Sequence, residues 1–379
     1  MQKPHKVLYF TKYSRNAGSS RLRSFQYFPF LEEAGFQVEV SPLFGKNYLN
    51  QLYAGQSTKK EALKGYLNRF KKIFSVRNYK TIVLEKELFP FLPAFTERLF
   101  NFFGIKYIVD YDDAVFLNYD LHQNSVIRFF LGKKIDAVMK NASLVVAGNS
   151  YLAERAKNAG AKKIEIIPTV IDLDRYPVNN ASKTHPSISD GKRGVLTSTE
   201  KPDFKKFIIG WIGTKSTFEK HLLPQKSWIL KAQEIEGVEF RIVGITTPQD
   251  LGDKISYIPW TEESEVDEIK KFDVGIMPLE DSPWEKGKCS YKIIQYFACG
   301  IPAIVSPIGM NNDVVAPNRN GFWASTEEEW LNAIKDLKEN NNLQQSMGEQ
   351  GRSDVEEKFA IQVTAKKWID ILKQNTRHQ

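Results

Sequence analysis

Short apolar runs alternate along the chain with longer stretches of helical spacing. In the first half, residues 7–10, 38–40, 81–84, 107–110, 144–147 and 164–167 read as buried strands. Helical patterns fill the gaps, as at 21–34 before Gly35 and at 150–159 before Gly160. The period disappears between Pro177 and Asp203, where Asn, Ser, Thr, Lys, Gly and Pro dominate, and this segment reads as a linker. Beyond it, strands are expected at 207–212, 240–243, 255–258 and 274–279, with helices at 224–235, 263–271, 326–339 and 355–374. This alternation predicts an α/β chain of two successive domains, each a parallel sheet with helices on both faces. Ligands of such sheets sit at the carboxyl ends of strands, so a cleft between the two domains is the expected site.

The residues at the predicted strand ends carry the chemistry. After the run at 274–279, the stretch from Glu285 to Ser306 reads as loop, helix and strand, with Lys288 and Lys292 at the entrance of the helix and Gln295 on it. Free backbone N–H groups at a helix start, together with two lysines, make an anion site, and phosphate fits best. Gly18, Ser19 and Ser20 follow the first strand, where glycine lets the backbone approach a ligand and the hydroxyls donate to phosphate. No G-x-G-x-x-G pattern is present there.

Asp110, Asp112 and Asp113 crowd one strand end and require a cation, sugar hydroxyls or basic groups to meet them. A carboxylate at that place can orient or deprotonate an acceptor hydroxyl. Glu85, Lys86 and Glu87 end another strand, where the charges can equally pair among themselves. The first strand of the second domain leads into Gly213, Thr214, Lys215 and Lys220. His221, alone, reads as structural, and Trp260 can stack on a nucleobase or pack under the next helix.

Charge is uneven. The net charge is +8, yet residues 1–175 carry 27 basic against 16 acidic side chains and the remainder 26 against 29. Residues 57–75 form a basic helical pattern with an apolar face of Leu63, Tyr66, Leu67, Phe70, Ile73 and Phe74. Such a helix either lies on anionic lipid or turns that face to the core. No reader motif for nucleic acid accompanies the basic half, so no nucleic-acid partner is expected. Neither a membrane-spanning run nor a signal-peptide pattern is found, and two cysteines suit reduced core positions, which points to the cytoplasm.

Taken together, Lys288 to Lys292, Gln295-Tyr296 and Gly300-Ile301-Pro302 resemble the donor-binding signature of glycosyltransferase family 4, a GT-B group. Ser306 to Gly309, Asn311 and Asn320 to Phe322 continue it, while Asp110 to Ala114, Gly148 to Leu152 and Ile167 to Asp172 resemble a bacterial subgroup. The resemblance implies two Rossmann-like domains, an acceptor side at 1–176 and a nucleotide-sugar side at 206–354, joined by a linker at 177–205. It implies a helix at 355–379 crossing back to the first domain. It also implies retaining transfer of a hexose to a glycan or lipid-linked acceptor, with no cofactor or metal. Peripheral contact with the inner face of the membrane through 57–75 is expected.

Gly18, Ser19, Gly213, Lys215, Lys220, Trp260, Lys288, Lys292 and Gln295 would bind the nucleotide-sugar; Asp112, Asp113 and Lys288 would act in the transfer. Two departures stand out: the glutamate pair of the family falls on Gly287 and Gln295, and its arginine on Thr214. A non-catalytic nucleotide- or glycan-binding protein of a polysaccharide assembly is the alternative they suggest.

Overall fold

The computed structural model describes residues 5–177 and 206–375; the linker expected at 177–205 lies outside them except for Pro177. The first sheet contains β1 (His5–Phe10), β2 (Phe36–Val40), β3 (Thr81–Glu85), β4 (Ile108–Tyr111), β5 (Leu144–Ala147) and β6 (Ile164–Ile166). Its order is β2-β1-β3-β4-β5-β6 and every pairing is parallel. The second contains β7 (Phe207–Ile212), β8 (Val238–Val243), β9 (Ile255–Ile258), β10 (Val274–Met277), β11 (Ala303–Val305) and β12 (Gly321–Trp323). Its order is β12-β11-β10-β7-β8-β9, again all parallel. Central strands such as Val274–Met277 are buried throughout, as parallel strands covered on both faces must be.

Two expected helices are broken. The segment 21–34 is a short helix Gly18–Arg23, a 3-10 turn Phe25–Tyr27 and a helix Phe28–Glu33 with Pro29 in its first turn. Proline fits a first helical turn but not an interior. The tail divides into helices Asn341–Lys358 and Ile361–Gln374. Between them Phe359 O accepts from Ile171 N at 3.0 Å, and Ile361 N donates to Ile171 O at 2.8 Å. The last helix then crosses back, with Ile361, Ala365, Trp368 and Leu372 in one cluster with Val7, Tyr9 and Tyr27 of the first domain.

Helix Lys59–Ile73 places Gly65 against β2's exit, where a Cβ would lie 2.0 Å from Leu43 O. One turn on, buried Arg69 donates to the carbonyls of Thr11, Ser41 (2.7 Å) and Leu88 (3.2 Å), and burial lowers it to about 9. Carbonyls at three strand exits thereby find a donor, and the helix is held by its polar edge. Tyr66 and Ile73 turn inward, whereas Leu63, Leu67, Phe70 and Phe74 face outward.

Candidate functional site

The cleft is built from the carboxyl ends of both sheets. On the first domain the three aspartates have separate partners. Asp110 is buried and takes both a bond from Arg23 Nε at 2.9 Å and a second from Arg23 Nη2, while Arg23 Nη1 donates to Ile167 O at 2.8 Å. That pair ties helix Gly18–Arg23 to β4 and the exit of β6. Asp112 and Asp113 share Lys86, whose Nζ lies 2.9 Å from Asp112 Oδ1 and 3.2 Å from Asp113 Oδ2. Ser19 Oγ donates to Asp112 Oδ2 at 2.7 Å.

Burial alone would raise Asp112, but Lys86 and Arg23 nearby, with hydrogen bonds from Lys86 and Ser19, outweigh it and hold it at about 2. A carboxylate so held accepts hydrogen bonds well and is a poor base. Lys86 reaches this place from a backbone at φ 67°, a region unusual for a side chain as long as lysine. Glu85 beside it accepts from Ser20 Oγ at 2.9 Å and from Lys12 N at 3.1 Å, and burial pushes it up to about 7. Glu87 points the other way, to Tyr119 and Lys134, and belongs to the core.

On the second domain, Lys288 and Lys292 are half-buried and have no carboxylate partner among the described residues. Lys292 Nζ sits 4.4 Å from the Trp211 ring centre. Burial and, after it, the charge of Lys288 push Lys292 down to about 7. Lys220 is already paired, its Nζ 2.7 Å from Oε1 of the fully buried Glu285. His221 Nε2 lies 3.4 Å from the same oxygen, and its Nδ1 is buried without a partner. Burial, with Lys288 adding to it, lowers His221 to about 4, so it is neutral. Lys215 points to solvent, 3.8 Å from Glu219, rather than to the two free lysines.

The domains meet along this line. Cys289 Sγ donates to Asp112 O at 2.7 Å, and Asn149 Nδ2 donates to Lys288 O at 3.0 Å. At the other rim Arg21 pairs with Glu262 at 2.9 Å and lies 5.8 Å from the centre of the Trp260 ring. Trp260 donates to Glu265 at 2.7 Å and is 41% exposed. Gln295, expected at a ribose or sugar hydroxyl, instead donates to the Tyr176 hydroxyl at 3.2 Å, which donates to Glu265 Oε1 at 3.2 Å. Glu265, on a neighbouring helix, thus accepts from both Tyr176 and Trp260.

The glycines separate by what they touch. A Cβ on Gly287 would lie 2.6 Å from the Ala114 Cβ, so the first domain occupies the space a glutamate there would need. Gly213 is required by packing, since a Cβ would lie 2.5 Å from the Trp211 ring. A Cβ on Gly18 meets nothing within 4 Å, which leaves open space beside Ser19. A separate hollow of about 480 Å³ lies on the first domain beyond β2, lined among others by Ser41, Lys46, Glu61, Lys64 and Lys72.

Of the residues singled out in the sequence, Ser19, Asp112, Asp113, Lys288 and Lys292 come together with Lys86, Asn149, Glu285 and His221. Lys215 and Gln295 do not join them. Lys86 stood at a strand end in a run whose charges could equally pair among themselves, and the structure instead pairs it with Asp112 and Asp113.

Residues 196–354 match the family described as glycosyl transferases group 1. Over nearly its whole length the chain is similar in structure to a glycosyltransferase from Rickettsia africae, at 14% identity and TM-score 0.68, covering 98% of this chain and 99% of that one. Sucrose-phosphate synthase from Thermosynechococcus elongatus gives 15% identity and TM-score 0.64, with 98% and 99% covered. Anabaena HepE in complex with UDP gives 14% identity and TM-score 0.61, with 97% and 100% covered. No curated protein matches the sequence. The two-domain fold read from the sequence is the fold of these proteins.

Proposed function

We propose that this chain, which has the GT-B fold and a second domain of the group 1 glycosyl transferases, is a retaining hexosyltransferase. It would move a sugar from a nucleotide-sugar to a hydroxyl of a glycan or lipid-linked acceptor, in the cytoplasm. The observation that carries this reading is the pair of lysines without a carboxylate partner, Lys288 and Lys292, flanking Cys289, whose thiol donates to Asp112 O of the first domain. Two like charges held together without a counterion are costly until an anion arrives. A diphosphate is the anion that fits, and its charge grows as it leaves the sugar.

In the transfer, the bond from the anomeric carbon to the phosphate oxygen breaks and its electron pair stays on that oxygen. The acceptor oxygen bonds to the anomeric carbon on the same face. The acceptor proton then goes to the departing phosphate oxygen, because Asp112, held at about 2, is the weaker base. Asp112 and Asp113, held together by Lys86, orient the acceptor. Since HepE binds UDP, UDP-sugars are the first donors to assay. Purified protein should release a nucleoside diphosphate from one member of a panel of UDP-, GDP- and ADP-sugars, and that nucleotide should raise its melting temperature. If no nucleotide shifts the melting temperature, this reading fails. The glycine at 287, packed on Ala114, favours a second reading, a binding protein without turnover, for which binding without release is the expected outcome.

Lys292 makes affinity depend on pH in a defined direction. Lowered to about 7 in the free protein, it is mostly neutral above that pH and must take up a proton to meet a diphosphate. Affinity should therefore weaken as pH rises above 7, by up to about tenfold per pH unit. Lys292→Arg keeps its charge and should flatten the profile, while the ionisation of the nucleotide itself is common to both proteins. Titration calorimetry in buffers of different ionisation heat reads the proton uptake directly.

A further inference from the structure

Apart from Ile166, Leu230, Trp260, Trp323 and Val363, every exposed large apolar side chain among the described residues falls between Leu52 and Phe130. Phe102 is 81% exposed, Phe129 83% and Phe74 76%, which no packed core explains. Contacts link the segments that carry these residues. Phe70 meets Phe74 edge-on at 5.3 Å, and Arg77 lies 5.9 Å from the Phe103 ring, which in turn meets Phe102 at 5.2 Å. Tyr66 donates to Pro90 O at 2.6 Å, Phe91 meets His122 at 6.3 Å, and Arg128 donates to Gln123 O at 2.9 Å. The patch therefore runs from helix Lys59–Ile73 across the 89–103 segment to helix Ser125–Leu131.

Its charge is of one sign. Between residues 46 and 140 every exposed charged side chain is a lysine or arginine, and each carboxylate there is buried or half-buried. Phenylalanines and leucines rimmed by exposed lysines and arginines match a surface of apolar chains under anionic headgroups. A second copy fits worse, because a twofold contact would set this basic face against itself.

We propose that this face docks the chain on a lipid bilayer whose headgroups carry net negative charge. The surface extends past the helix at 57–75 that the sequence suggested, to exposed phenylalanines at 91–103 and 129–130. The docking does not rest on the transfer reaction, since it is read without donor or acceptor.

The test is flotation of the full chain with vesicles of phosphatidylcholine mixed with phosphatidylglycerol, against phosphatidylcholine alone. Binding to the mixed vesicles only, reversed by added salt, is expected. Phe102→Ser with Phe129→Ser and Phe130→Ser should lower partitioning about tenfold or more, and Lys60→Glu with Lys64→Glu and Lys71→Glu should do the same. These positions are exposed, and unchanged circular dichroism and melting temperature would establish that both variants fold. No binding to mixed vesicles, or equal binding to both kinds, overturns the proposal. So does a stable dimer in sedimentation that the phenylalanine variant dissociates.

Discussion

Lys292→Ala is expected to lower kcat by about 10²–10³-fold, the loss found when one preorganised donor to a developing negative charge is removed. Lys288→Ala should cost a similar factor, and the double variant less than the product, because the two act on one phosphate group. Neither change should destabilise the protein. Lys292 has no ion pair and lies 4.4 Å from the Trp211 ring, beside a second cation, so removing it relieves a repulsion. Activity falling while the melting temperature holds or rises separates a binding role from a packing one. Steady-state release of nucleoside diphosphate, measured beside thermal melts, reads both quantities. Unchanged kcat in both single variants would remove the lysines from the reaction.

Arg23→Ala is expected to have the largest effect on stability, about 3–5 kcal/mol, because it leaves the Asp110 carboxylate buried without its cation. Both side chains are buried, and Arg23 also satisfies Ile167 O, so one substitution orphans an acid and a carbonyl. Arg23→Met combined with Asp110→Leu should recover most of the loss, since a paired apolar replacement leaves no charge behind. Urea denaturation of the three variants gives the comparison. A loss below about 1 kcal/mol, the range of exposed pairs, would mean that water reaches this pair.

The central strands were legible because each is a short apolar run buried on both faces, a signal that survives without any tertiary knowledge; the short edge strand Gly321–Trp323 lacks it and was not read. Pro29 was also visible in the pattern, and it forecasts the break after Arg23 better than periodicity does. The break at Phe359 could not be read, because its cause is a pairing with Ile171 almost two hundred residues away. Lys288, Lys292, Ser19 and the aspartates were legible as chemistry at strand ends. The division of labour among the aspartates was not, since it depends on Arg23 and Lys86 arriving from elsewhere. Helix Lys59–Ile73 shows the same limit: spacing identifies an apolar stripe, but Gly65 and Arg69 decide that its polar edge faces the sheet.

The pairing of Ile171 with Ala360 has a mechanical meaning. The chain passes between the domains twice, and at this point the outgoing and returning strands are bonded side by side. Two separate tethers would let one domain slide, twist and tilt against the other. Two tethers fused at one place leave a pivot, so rotation about it is the motion available to the cleft. Residues near the pivot, such as Tyr176 and Gln295, then keep their neighbours through the cycle. Those at the far rim, Asn149 with Lys288 and Ala114 with Gly287, travel furthest, so substrates gain access where the diphosphate and its lysines meet the aspartates.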